Sequence, residues 1–471
     1  MAGLYATWRL LERGVGPDRL RLFEASDRIG GRVLTVRSPE GLPLDMGAHN
    51  FGPSHKIVCG LVERFGLKPV ESIGYSPASI VHLRGRSLTN LEIARRWLRK
   101  PFRYDVSAYV QRRGPARMLR KALEKMPLAP NGHARLLRGR PLAEWALPDA
   151  LLDVLTAEEL RYLADRLIYS FWHRPVHAEA ALLWAAQEIF RGKSRMAELP
   201  EGMAALPKKL ASAIEDLGGQ VELSHRLSAV ELPASEADSI VLRFETGAGG
   251  RSVTADRLVL ALPAAAVGRV EGLGKQPEIE ALRSALMPQE AVATALVYEE
   301  PWWRRIGIGS GASTTDLPAR HLRHHGAEPW RDDTKGVGAL VSYSDGESAD
   351  FWRNAGSETA SGWIARDHAV AAELHKQVGK VFGPKMKTPL PSPVRAFMQD
   401  WSENGAGAAF HMWAAGSGPA ASLLSALRPI EGQKLHICGE AWSMRQGWIE
   451  GALETVELLI DRHPLSTVGP N

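Results

Sequence analysis

Three short α/β fragments, one near each end of the chain and one in its middle, restrict what this sequence can fold into. In the first, Leu4, Trp8 and Leu11 recur at helical spacing, a turn follows over 14–18, and Leu20-Arg21-Leu22-Phe23 reads as a strand ending in an acid, Glu24. In the second, a helix over 206–217 closed by Gly218-Gly219 leads to strands expected at 221–223, 239–244 and 258–262, the last stopped by Pro263. In the third, a strand over 434–438 and a glycine turn precede a helix over 447–460, whose Ile449, Leu453, Val456 and Ile460 form one apolar stripe. Long inserts separate the fragments. One α/β domain revisited three times by the chain explains this order better than three independent domains.

The first fragment carries half of a nucleotide signature. A dinucleotide fold joins a strand, a glycine loop, a helix and a second strand whose terminal acid hydrogen-bonds a ribose hydroxyl. Ala2-Gly3-Leu4 opens the helix, and Glu24 closes the next strand about 20 residues on, the expected separation. The first strand and first two glycines are absent from the sequence. The expectation is either a start upstream of Met1 or a product that holds its dinucleotide poorly. Asp27-Arg28-Ile29-Gly30-Gly31-Arg32 strengthens the reading, because two glycines let the backbone approach a ligand and Arg32 can pair with a pyrophosphate. The alternative is a turn with a structural arginine. At the far end, Cys438-Gly439-Glu440-Ala441 follows a buried strand, and Gly447-Trp448-Ile449-Glu450-Gly451-Ala452 starts a helix. Gly451 and Ala452 are small enough for a flat ligand to lie against the first turn, where unpaired N–H groups and the dipole favour negative charge. A tightly packed terminal helix is the alternative there.

Composition sets outer bounds. The chain has 471 residues, 45% hydrophobic and 24% charged, which excludes fibrous, disordered and disulfide-scaffold classes. Its two cysteines, Cys59 and Cys438, form no metal-ligand spacing, and a reducing, cytoplasmic setting is expected. The net charge of +5 is concentrated: residues 84–140 hold 16 Lys/Arg against Glu92, Asp105 and Glu124, interleaved with Trp97, Phe102, Tyr104 and Tyr109. A solvated helical face over core aromatics, a peripheral membrane patch and an anion-attracting entrance all fit this pattern. No recognition motif accompanies the charge, so nucleic acid is not an expected partner.

Between the fragments, residues 73–200 read as mostly helical, with further helices over 278–286 and 367–381 and a strand over 292–298. Residues 307–350 read as loop-rich. His321, His324 and His325 are then surface-loop histidines rather than metal ligands, since a metal site wants partners on regular elements; no metal is expected. Asp316, beside Pro318, reads as a turn former and Cys438 as inert.

Taken together, Gly3-Leu4, Glu24 through Arg32, Asp45-Met46-Gly47-Ala48, Gly202-Met203, residues 258–263, Gly439-Glu440 and Gly447 through Ala452 resemble the flavin-containing amine oxidase family. Thr315-Asp316-Leu317-Pro318, Ser342-Tyr343-Ser344-Asp345-Gly346 and Phe410-His411-Met412-Trp413 are similar to segments of its bacterial amino-acid oxidase and monooxygenase branch. The resemblance implies a Rossmann-like FAD-binding domain over 1–75, 201–270 and 431–471, interleaved with an α+β substrate domain over 271–430 and a helical insert or substrate entrance over 76–200. It implies FAD as cofactor, with Gly3, Glu24, Ala25, Gly31, Arg32, Gly47, Ala48, Leu227, Gly439, Glu440, Gly447, Trp448, Ile449 and Ala452 in contact with it. Glu24 would take the adenosine ribose. Leu227 would meet the adenine by its backbone, Glu440 would hold the ribityl-pyrophosphate region, and Trp448-Ile449 would meet the pyrimidine edge. The implied reaction is hydride transfer from an amine-bearing carbon to flavin N5, giving an imine that hydrolyses, with O2 as acceptor. Phe410 and Trp448 match the family's pair of substrate-holding rings, for which core packing is the alternative. His49, beside the expected flavin face, would tune a proton, contact substrate or fill space. A homodimer is compatible with this reading.

Several positions depart from the family. Many members place a lysine near flavin N5. The matching position falls near Ala293, which puts fast reaction with oxygen in doubt. Animal-type amino-acid oxidases clamp the substrate carboxylate with an arginine shortly after the Gly-Ala pair. Here His49-Asn50 follows, and Asn50 on the substrate side cannot form a bidentate ionic pair. An amine without an α-carboxylate, or a carboxylate held elsewhere, is implied. Ala408 lies near the cysteine of covalent members, so FAD is expected to be noncovalent. Two other readings compete: a flavin desaturase of an apolar lipid of the carotenoid or squalene type, and a degenerate, noncatalytic binding member.

Overall fold

Burial on both faces of one strand organises the largest layer. The computed structural model describes residues 1–95, 99–127, 135–189, 195–328, 336–356, 361–402 and 407–463. Its eight-stranded sheet runs Gly362–Ile364, Arg395–Asp400, Ala291–Tyr298, Gly338–Asp345, His321–His325, Gly311–Thr315, Ile80–Leu83, Arg86–Thr89. Neighbours are antiparallel except Gly311–Thr315 with Ile80–Leu83. In the Ala291–Tyr298 strand, Val292, Leu296 and Tyr298 meet a helical layer that includes Trp352, Leu374 and Val378. Ala293, Ala295 and Val297 turn the other way, toward Leu42, Leu44 and Met46. A strand covered on both faces reads as a continuous apolar run.

The three α/β fragments meet. Leu22–Phe23 pairs in parallel with Val221–Glu222, and Leu258–Leu260 with Leu435–Ile437. The helices Ala2–Glu12, Ala205–Asp216 and Ile449–Arg462 share one core, in which Leu4, Trp8 and Leu11 join Leu210, Ile214, Leu453 and Val456. The predicted helical stripes are therefore the packing faces. Arg9 fixes the two terminal helices with a fork onto Glu457, at 2.6 and 3.0 Å. The antiparallel sheet Arg226–Glu231, Ile240–Thr246, Gly249–Ala255 flanks this domain. An apolar trough lined by Leu4, Leu10, Leu22, Val259 and Ala261 borders both parallel pairs, and no strand joins the pairs among the described residues.

Two expectations need correction. Residues 80–89 are not helical but form the Ile80–Leu83 and Arg86–Thr89 hairpin at the sheet edge. Residues 307–350 contain three strands, Gly311–Thr315, His321–His325 and Gly338–Asp345. Gly-Ala-Ser-Thr-Thr and His-Leu-Arg-His-His hold no valine, isoleucine or large aromatic to mark a strand, and part of their surface lines a polar chamber. The histidines consequently lie on a strand rather than in a surface loop, with His324 1% exposed.

Part of the basic segment is neutralised or stacked. Arg84 pairs with Glu158 at 2.8 Å and lies 3.8 Å from the Tyr104 ring centroid; Arg138 pairs with Asp153. Phe102 and Tyr104 are core residues, whereas Tyr109 is exposed beside Arg113 and Arg117. Trp97 lies outside the described residues. No helix among the described residues is long and apolar enough to cross a membrane.

Candidate active site

Glu440, at the turn after the Leu435–Ile437 strand, collects donors from three directions. Its Oε1 accepts the backbone N–H groups of His411 and Gly447, each at 2.8 Å. Its Oε2 accepts Arg32 Nη1 at 2.7 Å and faces His411 Nδ1 at 3.1 Å. Burial alone would raise this carboxyl; Arg32, His411 and the Gly447 N–H outweigh it and hold the pKa far below the usual range. Arg32 also donates to the Ala409 carbonyl at 3.0 Å. Both side chains expected to face the cofactor directly thus spend these bonds on holding the N-terminal glycine loop, the Phe410–Trp413 strand and the C-terminal turn together.

Around this knot runs a single cavity of about 1820 Å³, lined by Gly3, Glu24, Ala25, Gly31, Arg32, Gly47, Ala48, Leu227, Gly439, Glu440, Gly447, Trp448, Ile449 and Ala452. It is larger than the roughly 300–1,000 Å³ of a site for one small ligand. The acid after Phe23 and the tail segment at Trp448 therefore share one continuous space. At the Glu24 end, Phe23 packs on Phe244 and His225 at 4.3 and 5.5 Å between ring centroids, an aromatic floor beside Leu227. Glu24 Oε1 is oriented by the Ser26 N–H and hydroxyl, at 2.9 and 3.0 Å. Gly47 is required by close approach: a Cβ there would stand 2.1 Å from the Arg32 carbonyl oxygen. Gly439 adopts φ +136°, and a Cβ at that position would meet no atom within 4 Å, so the space beside it is open. At the far end the Ile449–Arg462 helix starts at Trp448 without a side-chain cap, leaving first-turn N–H groups toward the cavity. An acid at one end, a glycine-lined passage and an uncapped helix start fit an extended FAD. Neither Cys59 nor Cys438 lines the cavity.

The cavity continues into a chamber, and the large sheet supplies one wall. Register aligns Gln399, Ala293, Tyr343, His321 and Thr314 in one cross-strand row. Ala293 stands second in that row, between Gln399 and Tyr343. His49, Asn50, Phe410 and Trp448 reach the same space. Phe410 and Trp448 do not stack on one another. Tyr169 meets Phe410 edge-on at 5.9 Å and Tyr343 at 6.3 Å, while Trp448 packs on His55 at 4.7 Å. The ring pair anticipated from sequence is thus part of a larger aromatic enclosure.

Charged groups in the chamber were not anticipated. Arg323 is 9% exposed and donates to the Asp45 carbonyl. Burial lowers its pKa, and Asp45 and Glu198 pull the other way. Burial raises the Glu198 carboxyl to about 7 despite a 3.0 Å hydrogen bond from Ser72. Burial holds His321 down at about 3, and pushes His49 well below its ordinary value with help from Arg323, His321 and His325. Both imidazoles are neutral near pH 7. Arg166 and Tyr75 complete this part of the lining. The signal missed was period-two alternation in 321–325, which puts His321 and Arg323 on one face.

Comparison with known proteins agrees with this arrangement. A family profile described as "Flavin containing amine oxidoreductase" matches residues 1–455. An L-amino-acid oxidase of Bungarus fasciatus is 26% identical over 397 residues, 80% of this chain and 70% of that one. L-amino-acid oxidase apoxin-1 of Crotalus atrox is 25% identical over 400 residues, with the same coverage of each chain. A solved putrescine oxidase triple mutant superposes with a TM-score of 0.71 at 19% identity, covering 98% of this chain and 97% of that one.

Proposed function

Since the chain belongs to the flavin-containing amine oxidoreductases and uses FAD noncovalently, we propose that it oxidises an amine or amino acid in the chamber bounded by Phe410, Trp448 and the Ala293 row, with O2 as acceptor. The observation that carries this reading is the single cavity that joins Glu24 to Trp448 and opens into that chamber. Bound FAD supplies the two-electron acceptor for a hydride from the carbon bearing nitrogen.

The chain's own residues prepare the substrate. Phe410, Tyr169 and Tyr343 offer ring edges and faces to its carbon skeleton. Arg323 is a buried cation beside neutral His49 and His321. That field makes an ammonium costly and favours the free amine, whose lone pair must assist hydride departure. Arg32 and Glu440 hold the loop and turn that flank the reacting space. The product imine is hydrolysed by water. An apolar lipid is a poor match, because it would bury Arg323 and Glu198 against hydrocarbon.

A panel of amines and amino acids tests the proposal. The FAD-loaded protein is mixed with each compound without oxygen, and the visible flavin absorbance is followed. Bleaching by at least one compound, with peroxide released on admitting air, is the expected result. Failure of every compound refutes the oxidation, and bleaching without peroxide moves the acceptor away from O2.

A further inference from the structure

We propose that the exposed face of the Ala108–Arg113 and Pro115–Glu124 helices docks on an anionic lipid surface. In the Pro115–Glu124 helix, Met118, Leu119 and Ala122 are buried in a core shared with Phe102, Tyr104 and Leu163. Arg117, Arg120, Lys121 and Glu124 are exposed and recur at i, i+3, i+4 and i+7, so they share the opposite face. Tyr109, 45% exposed, extends that face into the preceding helix. The guanidinium carbons of Arg113 and Arg117 stand 5.5 and 5.7 Å from its ring centroid. This set holds four cations, one amphipathic ring and one acid, Glu124.

Charge complementarity selects the partner. Among the described residues, no carboxylate lies within ion-pair distance of Arg113, Arg117 or Lys121, so the fold does not consume these charges. None of the described residues between 76 and 165 lines the cavity, so the charge is not placed to draw anions into the active site. With its apolar side packed into protein, the helix pair presents cations and a tyrosine ring. That combination matches the phosphates and interfacial layer of a membrane rather than its hydrocarbon. Clusters of four or more Lys/Arg respond to the negative potential of acidic lipids, each residue contributing about fivefold to binding. The contact is therefore adsorption, reversed by salt, and not insertion. The Pro115–Glu124 helix also packs on Ala157–Leu167, whose Leu167 lines the cavity, so the docking face lies one helix away from the site.

Co-sedimentation of the full chain with vesicles tests this independently of turnover. Phosphatidylcholine vesicles are compared with the same lipid carrying about 30% phosphatidylserine, each at about 0.1 M and about 0.5 M salt. Binding to the serine-containing vesicles at low salt, absent from the neutral ones and lost at high salt, is expected. Combining Arg113→Gln, Arg117→Gln and Lys121→Gln should weaken that binding about 100-fold. Thermal unfolding should match the parent's, because all three side chains are exposed. A control that removes three exposed cations elsewhere, Lys68→Gln, Lys208→Gln and Lys209→Gln, should bind as the parent does. Equal binding to both vesicle types, no binding, or an equal loss in the two triple variants overturns the assignment. Displacement from the vesicles by duplex DNA at matched phosphate concentration also overturns it, in favour of a nucleic acid.

Discussion

Arg32 Nη1 stands 2.7 Å from Glu440 Oε2, across 408 residues of sequence. The contact closes the cavity wall between the first and last fragments of the α/β domain. All four hydrogen-bonding groups around the Glu440 carboxylate are placed as donors or potential donors. Glu440→Gln removes the charge and turns an NH2 toward at least one of them. It is expected to cost about 3–5 kcal/mol, the usual penalty for breaking a buried pair. Urea unfolding gives the stability, and the visible-to-ultraviolet absorbance ratio gives the flavin retained. A variant as stable as the parent with full flavin content would contradict the organising role.

Gly451 tests the packing of the terminal helix. A Cβ there would stand 2.3 Å from both the Arg445 carbonyl oxygen and Ser443 Oγ. Neither can retreat easily, since Ser443 Oγ accepts the Arg445 N–H at 3.1 Å. Gly451→Ala should destabilise by about 1–3 kcal/mol despite alanine's better helix propensity. Thermal unfolding followed by circular dichroism reads the sign directly.

How much of this was legible follows from what each residue faces. Trp8 and Leu11 of one helical stripe and Leu453 and Val456 of the other pack against solid protein, so hydrophobic period revealed them. Glu24, Gly47 and Trp448 were legible through their motifs and do line the cavity. The chamber wall was opaque for the opposite reason. His321 and Arg323 face a cavity, so their strand lacks the apolar signature of a sheet buried on both sides. Arg166 sits in an ordinary amphipathic helix, and only the tertiary fold reveals that its Nε and Nη1 have no hydrogen-bond partner among the described residues.

Glu198 makes stability depend on pH. Burial raises its carboxyl from 4.5 to about 7. Because the folded pKa lies above the unfolded one, its contribution is fully present below about 4.5 and is lost as pH rises through about 7. The loss is on the order of 1–3 kcal/mol. Glu198→Gln keeps an acceptor for Ser72 and cannot ionise. Urea unfolding between pH 5 and pH 8 should therefore show a smaller decline for the variant than for the parent. Parallel profiles would remove Glu198 as the source.

Ala293 gives the most direct test of O2 as the proposed acceptor. It is 1% exposed to solvent, lines the cavity and sits in register between Gln399 and Tyr343. A lysine there would point from the sheet into the reacting space. Its ammonium would stabilise the negative charge that develops as O2 accepts electrons, an electrostatic effect strengthened where water is excluded. Ala293→Lys is expected to raise the rate of flavin reoxidation by oxygen at least about tenfold, equivalent to about 1.4 kcal/mol of barrier. Anaerobic reduction by substrate should change less, because in the proposed reaction hydride departure depends on the amine and the aromatic enclosure. The buried cation Arg323 would favour the neutral form of the new lysine. The gain should therefore fade as pH rises through the lysine's lowered pKa. Stopped-flow mixing of reduced protein with aerated buffer, repeated across pH, measures both effects. A rate equal to the parent's at every pH would mean that the Ala293 side chain does not point at the site of oxygen reduction.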